Sequence, residues 1–367
     1  ENDMNTAKQM YALDIPETAD LITMIGRDQT VIAVGSMGQG KSAILDIVAK
    51  ELPTHKPFYF DCTTKVDAGD MGLPRMKEAQ EKDFFTHAVA EELGFHHDGP
   101  IILMLDEIGK NKSLLPALQR IAYEKKFGMH ELHPDSIVFA TTNKASEGMG
   151  DVLSALMRNR TTVVTIRKTT NLKWLEWAID NDIEPLLMGY VKDHPELGDD
   201  FEDIKDPQEN LKIYHPKDPS RQSFWTWRSG EAASKILKKR HMMSNHMLTA
   251  ALIGTIGEQA AVELMTFVNV AKDMPSADDI KNDPKNAKVP SSAAAVCMTV
   301  FRTLSTIDRD WMDAWMTYMD RLDTEAQGLF VNGARSEKYS KRNIVMQNKK
   351  FGEWSRLNGY MFQADKV

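Results

Sequence analysis

The stretch TVIAVGSMGQGKSAILDIVAKEL (residues 30–52) runs from a β-branched apolar segment, through a glycine-rich turn, into a segment where Ile44, Leu45, Ile47, Val48 and Leu52 recur at helical spacing. Strand, glycine turn and helix form the context in which Gly-x-x-x-x-Gly-Lys-Ser cradles phosphate, and Gly35, Gly40, Lys41 and Ser42 meet that pattern. Glycines let such a loop wrap so that backbone N–H groups point at an anion, and the following helix adds the positive end of its dipole. The expectation is that Lys41 contacts the β- and γ-phosphates of a nucleotide and that the Ser42 hydroxyl ligates Mg²⁺. Ser36, Met37, Gly38, Gln39 and Ala43 complete the wall of the cradle.

Four further short apolar runs follow the same logic: PFYF (57–60), PIILML (100–105), SIVFA (136–140) and TVVTI (162–166). Read as buried strands alternating with helices, they predict an α/β fold with a mainly parallel sheet covered on both faces. Ligands of such sheets bind at the carboxyl ends of the strands, where GSMGQGKS falls. From LKWLEWAIDNDIEPLLMGYV onward the strand signals stop, and Trp174 and Trp177 read as packing aromatics. Residues 192–222 are polar, acidic and proline-bearing. Their Glu196, Asp199, Asp200, Glu202, Asp203 and Asp206 suggest a solvated connector rather than a metal site. Helical patterning resumes over 228–272 and, after the turn-rich PSADDIKNDPKNAKVPSS, over 293–331. The division expected is a nucleotide-binding core (4–170), a helical segment with acidic connector (171–222), a helical lid (223–272) and a C-terminal helical extension (293–367).

With 367 residues, 42% of them hydrophobic, the chain is long enough for two domains. A net charge of −8 argues against a generally nucleic-acid-coating surface. Cys62 and Cys297, far apart, lack the paired spacing of a zinc site or a disulfide framework and suit a reducing cytoplasm. No run reaches a membrane span and no signal peptide is evident, so a cytoplasmic location is expected, with Met4 as the natural start. His130 and His133 of HELH lack further ligands, and no Gly-x-Ser-x-Gly elbow occurs.

Two more strand ends carry chemistry. IILMLDEIG puts Asp106 and Glu107 at the same sheet edge as the cradle, Asp106 to hold the water shell of Mg²⁺ and Glu107 to orient and polarise an attacking water. SIVFATTN ends in Asn143, whose amide is suited to bonding both a γ-phosphate and that water. A carboxylate placed for water activation favours ATP hydrolysis over phosphoryl transfer to a second substrate.

The ordered set GSMGQGKS, IILMLDEIG, FATTN and ALMRNRTTVVTI resembles the AAA+ ATPases, and more closely their MoxR-like branch. KFGMHELHPDSIVFATTN is similar to the hairpin inserted before the sensor strand there, and DMGLP (70–74) resembles a short segment after the second strand. LKWLEWAIDNDIEPLL, FWTWRSGEAASKIL, LIGTIGEQAAVELMTF and EAQGLF look like segments of MoxR-like proteins encoded by bacteria and their viruses. The resemblance implies ATP and Mg²⁺ as ligands and a homo-oligomeric ring, commonly hexameric, with a neighbour supplying an arginine to each site. Arg160 matches that finger and Arg158 is its alternative. It also implies a lid-helix sensor, matched by Arg228 although Trp227 stands where proline is usual, with Arg221 as second choice. The family function implied is a chaperone-type remodelling ATPase, and the same analogy suggests a partner with a von Willebrand factor A domain. The alternatives are a nucleic-acid motor or loader, contacting its load through the 125–133 hairpin with Lys125 and Lys126 and through Lys238, Lys239 and Arg240, or a nucleotide-gated scaffold.

Overall fold

A computed structural model describes residues 11–79, 82–144 and 155–359. The expected start at Met4 and residues 360–367 of the C-terminal stretch lie outside the described residues. The chain divides into two compact units, Glu1–Thr169 and Thr170–Val367.

In the first unit, α1 (Ile15–Ile25) precedes β1 (Val31–Val34), α2 (Ala43–Glu51), β2 (Lys56–Asp61), a ribbon of β3 (Gly72–Ala79) and β4 (Lys82–Val89), and β5 (Ile101–Asp106). Then come α3 (Leu115–Glu124), the short β6 (Lys126–Phe127) and β7 (His130–Glu131), β8 (Ile137–Thr142), α4 (Ala155–Arg160) and β9 (Thr162–Thr165). Five strands form one parallel sheet in the order β2-β5-β8-β1-β9. The five apolar runs read from the sequence are these five strands.

The apolar character of the three central strands, β1, β5 and β8, follows from burial on both faces, while β2 and β9 at the sheet edges are partly exposed. Along β5, Ile101, Leu103 and Leu105 enter one core cluster while Ile102 and Met104 enter the other. Val138 and Ala140 of β8 likewise oppose Ile137 and Phe139. Each face of the sheet thus has its own apolar layer, and the strand order brings the ends of β1, β5 and β8 side by side.

The β3–β4 ribbon is not evident in the sequence beyond the DMGLP segment. Its strands lack a face turned to the core, so no alternation marks them: Leu73, Met76, Phe84 and Phe85 are all exposed. Its base is anchored where Gly72 packs so close to Phe127 that a Cβ would lie 2.6 Å from the ring. His130 Nε2, at the start of β7 in the hairpin expected before the sensor strand, donates to the His87 carbonyl (2.8 Å). His133 instead accepts the Asp135 N–H at Nδ1 (3.1 Å), so the two histidines of HELH are committed separately.

The second unit contains no named strand among the described residues. It comprises α5 (Asn171–Asp180), α6 (Pro185–Asp193), α7 (Trp227–Lys238), α8 (Asn245–Ile256), α9 (Glu258–Val270), α10 (Ala277–Asn282), α11 (Ala293–Thr306), α12 (Met312–Met319), α13 (Thr324–Arg335), α14 (Arg342–Met346) and α15 (Lys349–Leu357). They share one apolar core that includes the fully buried Trp225, Trp315, Tyr190 and Phe330. Trp174 stacks on Trp227 with ring centroids 5.0 Å apart. The α/β core followed by an all-helical region expected from the sequence is the fold observed.

The acidic stretch after α6 differs from a solvated connector. Leu197, Phe201 and Ile213 are buried in it, and Lys212, also buried, places its ammonium against Glu196 (2.5 Å) and Glu263. The protein's own ammonium thus neutralises the carboxylates that, with His194, stand close enough to hold a cation. Polar composition concealed this because one of the carboxylates that matches Lys212, Glu263, comes from α9, far along the chain.

Candidate functional site

The glycine loop begins directly after Val34 and ends at Ser42, the residue immediately before α2. Gly38 and Gly40 have φ of 71° and 89°, left-handed values that oppose a Cβ and explain glycine at those turns. Gly35 N–H donates to Thr142 O (3.1 Å), tying the start of the loop to the end of β8. Ser36 N–H donates to the Gln39 side-chain oxygen (3.0 Å) across the loop.

Lys41 is buried and its ammonium is folded against this loop. It donates to Gly35 O (2.8 Å), Ser36 O (3.2 Å) and Asn143 Oδ1 (2.5 Å), and lies 3.6 Å from Glu107 Oε1. Asn143 is buried at the end of β8. Its backbone N–H and the Lys41 ammonium both favour the charged Glu107 carboxylate, but burial outweighs them and, with Asp106 adding repulsion, holds that carboxyl above its usual range.

Glu107 itself sits at φ 55°, an uncommon conformation for a residue with a Cβ. The chain leaves β5 there in a sharp turn, and such strained positions persist where surrounding contacts over-determine them. The contacts here are the Glu107 N–H to Thr141 Oγ1 (3.3 Å) and Ile108 N–H to Thr141 O (3.0 Å).

Asp106 is held from two sides. Tyr59 OH donates to Oδ2 (2.7 Å), and the Thr141 hydroxyl donates to Oδ1. Neither Tyr59 nor Thr141 was singled out in the sequence. Tyr59 pairs with Met104 in register, which sets it two residues before Asp106 on the same face of the sheet, a relation that exists only once β2 and β5 are paired. Cys62, buried at the end of β2, has its thiol pushed up to about 12 by burial and by Asp106, Asp61 and Glu107, so it is no nucleophile here.

Two features suit the residues to a magnesium nucleotide. The Ser36 hydroxyl is buried with no hydrogen-bond partner. The Ser42 hydroxyl is exposed and makes no capping bond to α2, leaving it available as a ligand. Each Asp106 oxygen retains a lone pair for a metal-bound water after the bonds described.

The remaining candidates lie elsewhere. Arg158 and Arg160 are exposed in the last turn of α4. Thr162 N–H donates to Thr30 O (2.9 Å) and Gln29 Nε2 to Arg160 O (3.3 Å), so both arginines stand at the amino edge of the sheet, opposite the cradle of their own chain. The Arg160 guanidinium lies over the Tyr123 ring, 5.4 Å from its centroid. In the helical unit, Arg228 is exposed at the second residue of α7, whose Thr226–Ser229 capping box fixes the helix start. Trp227, in the place where proline is usual, is buried against Trp174. Arg221 is spent locally, donating to Pro207 O (2.6 Å), Asn210 O (2.9 Å), Ile213 O (2.6 Å) and Asp218 Oδ2 (2.9 Å).

No family model matches the chain and no curated protein matches it. Among solved structures it is similar to the Thermotoga maritima RuvB Holliday junction branch migration motor, at 18% identity over 73% of this chain and 72% of that one, with a TM-score of 0.36. A protein from Cytophaga hutchinsonii, named by inference as an ATPase, matches at 13% identity over 72% of this chain and 92% of its own, with a TM-score of 0.34. Among the described residues, no helix is long and apolar enough to cross a membrane.

Proposed function

We propose that the chain is a Mg²⁺-dependent ATPase of the AAA+ type, MoxR-like, working as a homo-oligomeric ring that remodels a protein partner. The observation that carries the ATPase reading is the convergence of Lys41, Asp106, Glu107 and Asn143 at one sheet edge, with Lys41 touching both Asn143 and Glu107. Bound Mg²⁺ would be held by Ser42 and, through water, by Asp106, and would supply charge neutralisation on the phosphates. Lys41 exchanges its loop carbonyls for phosphate oxygens. That releases the ammonium from Glu107, which then accepts a proton from the attacking water. Asn143 orients that water, and Tyr59 and Thr141 fix the Asp106 carboxylate.

The placement of Arg158 and Arg160 away from their own cradle supports a role toward a neighbouring subunit, with Arg160 as the finger. Arg228, exposed on its helix, is the lid sensor in this reading. Arg221 is a clamp of the preceding loop. A protein load is favoured over nucleic acid by the net charge of −8.

The deciding experiment is Glu107→Gln assayed for ATP binding and turnover. Retained binding with hydrolysis at least ~100-fold slower is expected for the loss of a water-polarising base. Unchanged turnover would refute Glu107 as that base. ATPase stimulation by DNA in a salt-dependent manner would move the load to nucleic acid.

A further inference from the structure

Gln29 and Thr30, just ahead of β1, tie the segment that carries Arg160 to the end of α3. The Gln29 side-chain amide donates to Arg160 O (3.3 Å). The Thr30 hydroxyl donates to Ala122 O near the end of α3, and the Thr30 carbonyl accepts the Thr162 N–H (2.9 Å). The last turn of α3 and the turn from α4 into β9 are thus fastened to one short stretch of chain, which brings the Tyr123 ring to Arg160.

Both partners are fixed behind their contact. Tyr123 packs against the core cluster that contains Leu118, Phe127 and Met157, and its hydroxyl is buried. Met157, three residues before Arg160, is itself buried, and the Thr161 hydroxyl donates back to Met157 O (2.7 Å). The Arg160 side chain therefore projects from a held base, with its guanidinium carbon 5.4 Å from the Tyr123 ring centroid, inside the ~6 Å reach of a cation–π contact.

A ring attracts a guanidinium without consuming its N–H donors, whereas a carboxylate would occupy them. The Arg160 guanidinium makes no hydrogen bond or ion pair among the described residues, so its donor fork stays open. Arg158, exposed in the same turn of α4, has no ring against its guanidinium among the described residues. A held base, a narrowed set of rotamers and an open fork are what an arginine needs to meet a phosphoryl group on another subunit.

We infer that Tyr123 is a positioning residue for the Arg160 finger, its ring holding the guanidinium ready for the γ-phosphate bound on a neighbouring subunit. This role rests on the assignment of Arg160 as the finger. Tyr123 touches neither nucleotide nor water and acts only through the arginine, on the subunit opposite the one that hydrolyses ATP.

The test uses mixed assemblies of the full chain at saturating ATP. Lys41→Ala subunits supply only the finger and Arg160→Ala subunits only the nucleotide site, so the ATPase rate recovered on mixing reports the finger in trans. Tyr123→Leu on the Lys41→Ala subunit should lower that rate ~2–5-fold, as for losing one exposed cation–π contact. The same substitution on the Arg160→Ala subunit, which has no finger to hold, should leave the rate unchanged. Tyr123→Phe on the Lys41→Ala subunit should keep the full rate, because the ring stays and only a hydroxyl buried without a partner is lost. A general loss of structure would depress the rate from either subunit and cannot produce this asymmetry. If Tyr123→Leu fails to fold, Tyr123→Met, of similar volume, is read in its place. An equal effect from both subunits, no effect from either, or a Tyr123→Phe variant as slow as Tyr123→Leu overturns the inference. No recovery when Lys41→Ala and Arg160→Ala proteins are mixed without a Tyr123 change removes the finger assignment itself, and the role of Tyr123 with it.

Discussion

The Lys41 ammonium lies 3.6 Å from the Glu107 carboxylate while it also bonds the Asn143 amide oxygen at 2.5 Å. One cation from the glycine loop thus bridges the ends of β5 and β8. A phosphate that draws Lys41 toward itself must break both contacts, which couples ligand binding to the state of the base.

Lys41→Ala removes this bridge and the principal phosphate contact. ATP affinity should fall by at least ~100-fold, about 2.7 kcal/mol, in a direct binding titration. Normal affinity would show that the loop is not a phosphate cradle.

The Glu107 carboxyl is held above its usual range by burial. The folded chain therefore binds its proton more tightly than the unfolded chain does, and stability falls as pH rises from the ordinary carboxylate value through the raised one. Glu107→Gln removes that slope. Its Tm advantage over the parent protein should grow with pH through this window and level off above it. The acid limb of kcat in the parent protein should also lie above the usual carboxylate range.

Tyr59→Phe deletes one of two hydrogen bonds to Asp106 and leaves the ring in place. The expected result is a higher Mg²⁺ requirement for hydrolysis, with kcat at saturating Mg²⁺ lowered less than ~10-fold. A metal titration of ATPase rate reads both. An unchanged Mg²⁺ requirement would make Tyr59 a bystander.

Because Arg160 stands at the sheet edge opposite its own cradle, Arg160→Ala and Lys41→Ala lesions should complement each other in mixed assemblies. Each lesion spoils a different component of a shared site, so mixing the two inactive proteins should restore part of the ATPase rate. No recovery across mixing ratios would place the arginine outside any shared site.

Arg221 and Arg228 should separate by stability. Arg221 gives four hydrogen bonds to the loop before α7, so Arg221→Met should cost about 2–4 kcal/mol in denaturant unfolding. Arg228 is exposed, and Arg228→Ala should leave the unfolding midpoint within about 0.5 kcal/mol of the parent protein while lowering ATP turnover.

The sequence by itself determined the α/β character, the five parallel strands and the position of the cradle. These follow from local rules: a short apolar run bounded by turn residues reads as a strand of a largely covered sheet, and a glycine turn between strand and helix has one productive shape. It also placed Asp106, Glu107 and Asn143 at strand ends, because a strand signal carries its own direction. Tertiary structure decided what those residues touch. Strand order put β5 and β8 beside the loop, so that Lys41 meets Glu107 and Asn143. Pairing of β2 with β5 delivered Tyr59 to Asp106, and the register of β9 on β1 sent Arg160 to the far edge. The β3–β4 ribbon left no periodic trace in the chain. An exposed ribbon has no face pattern to read.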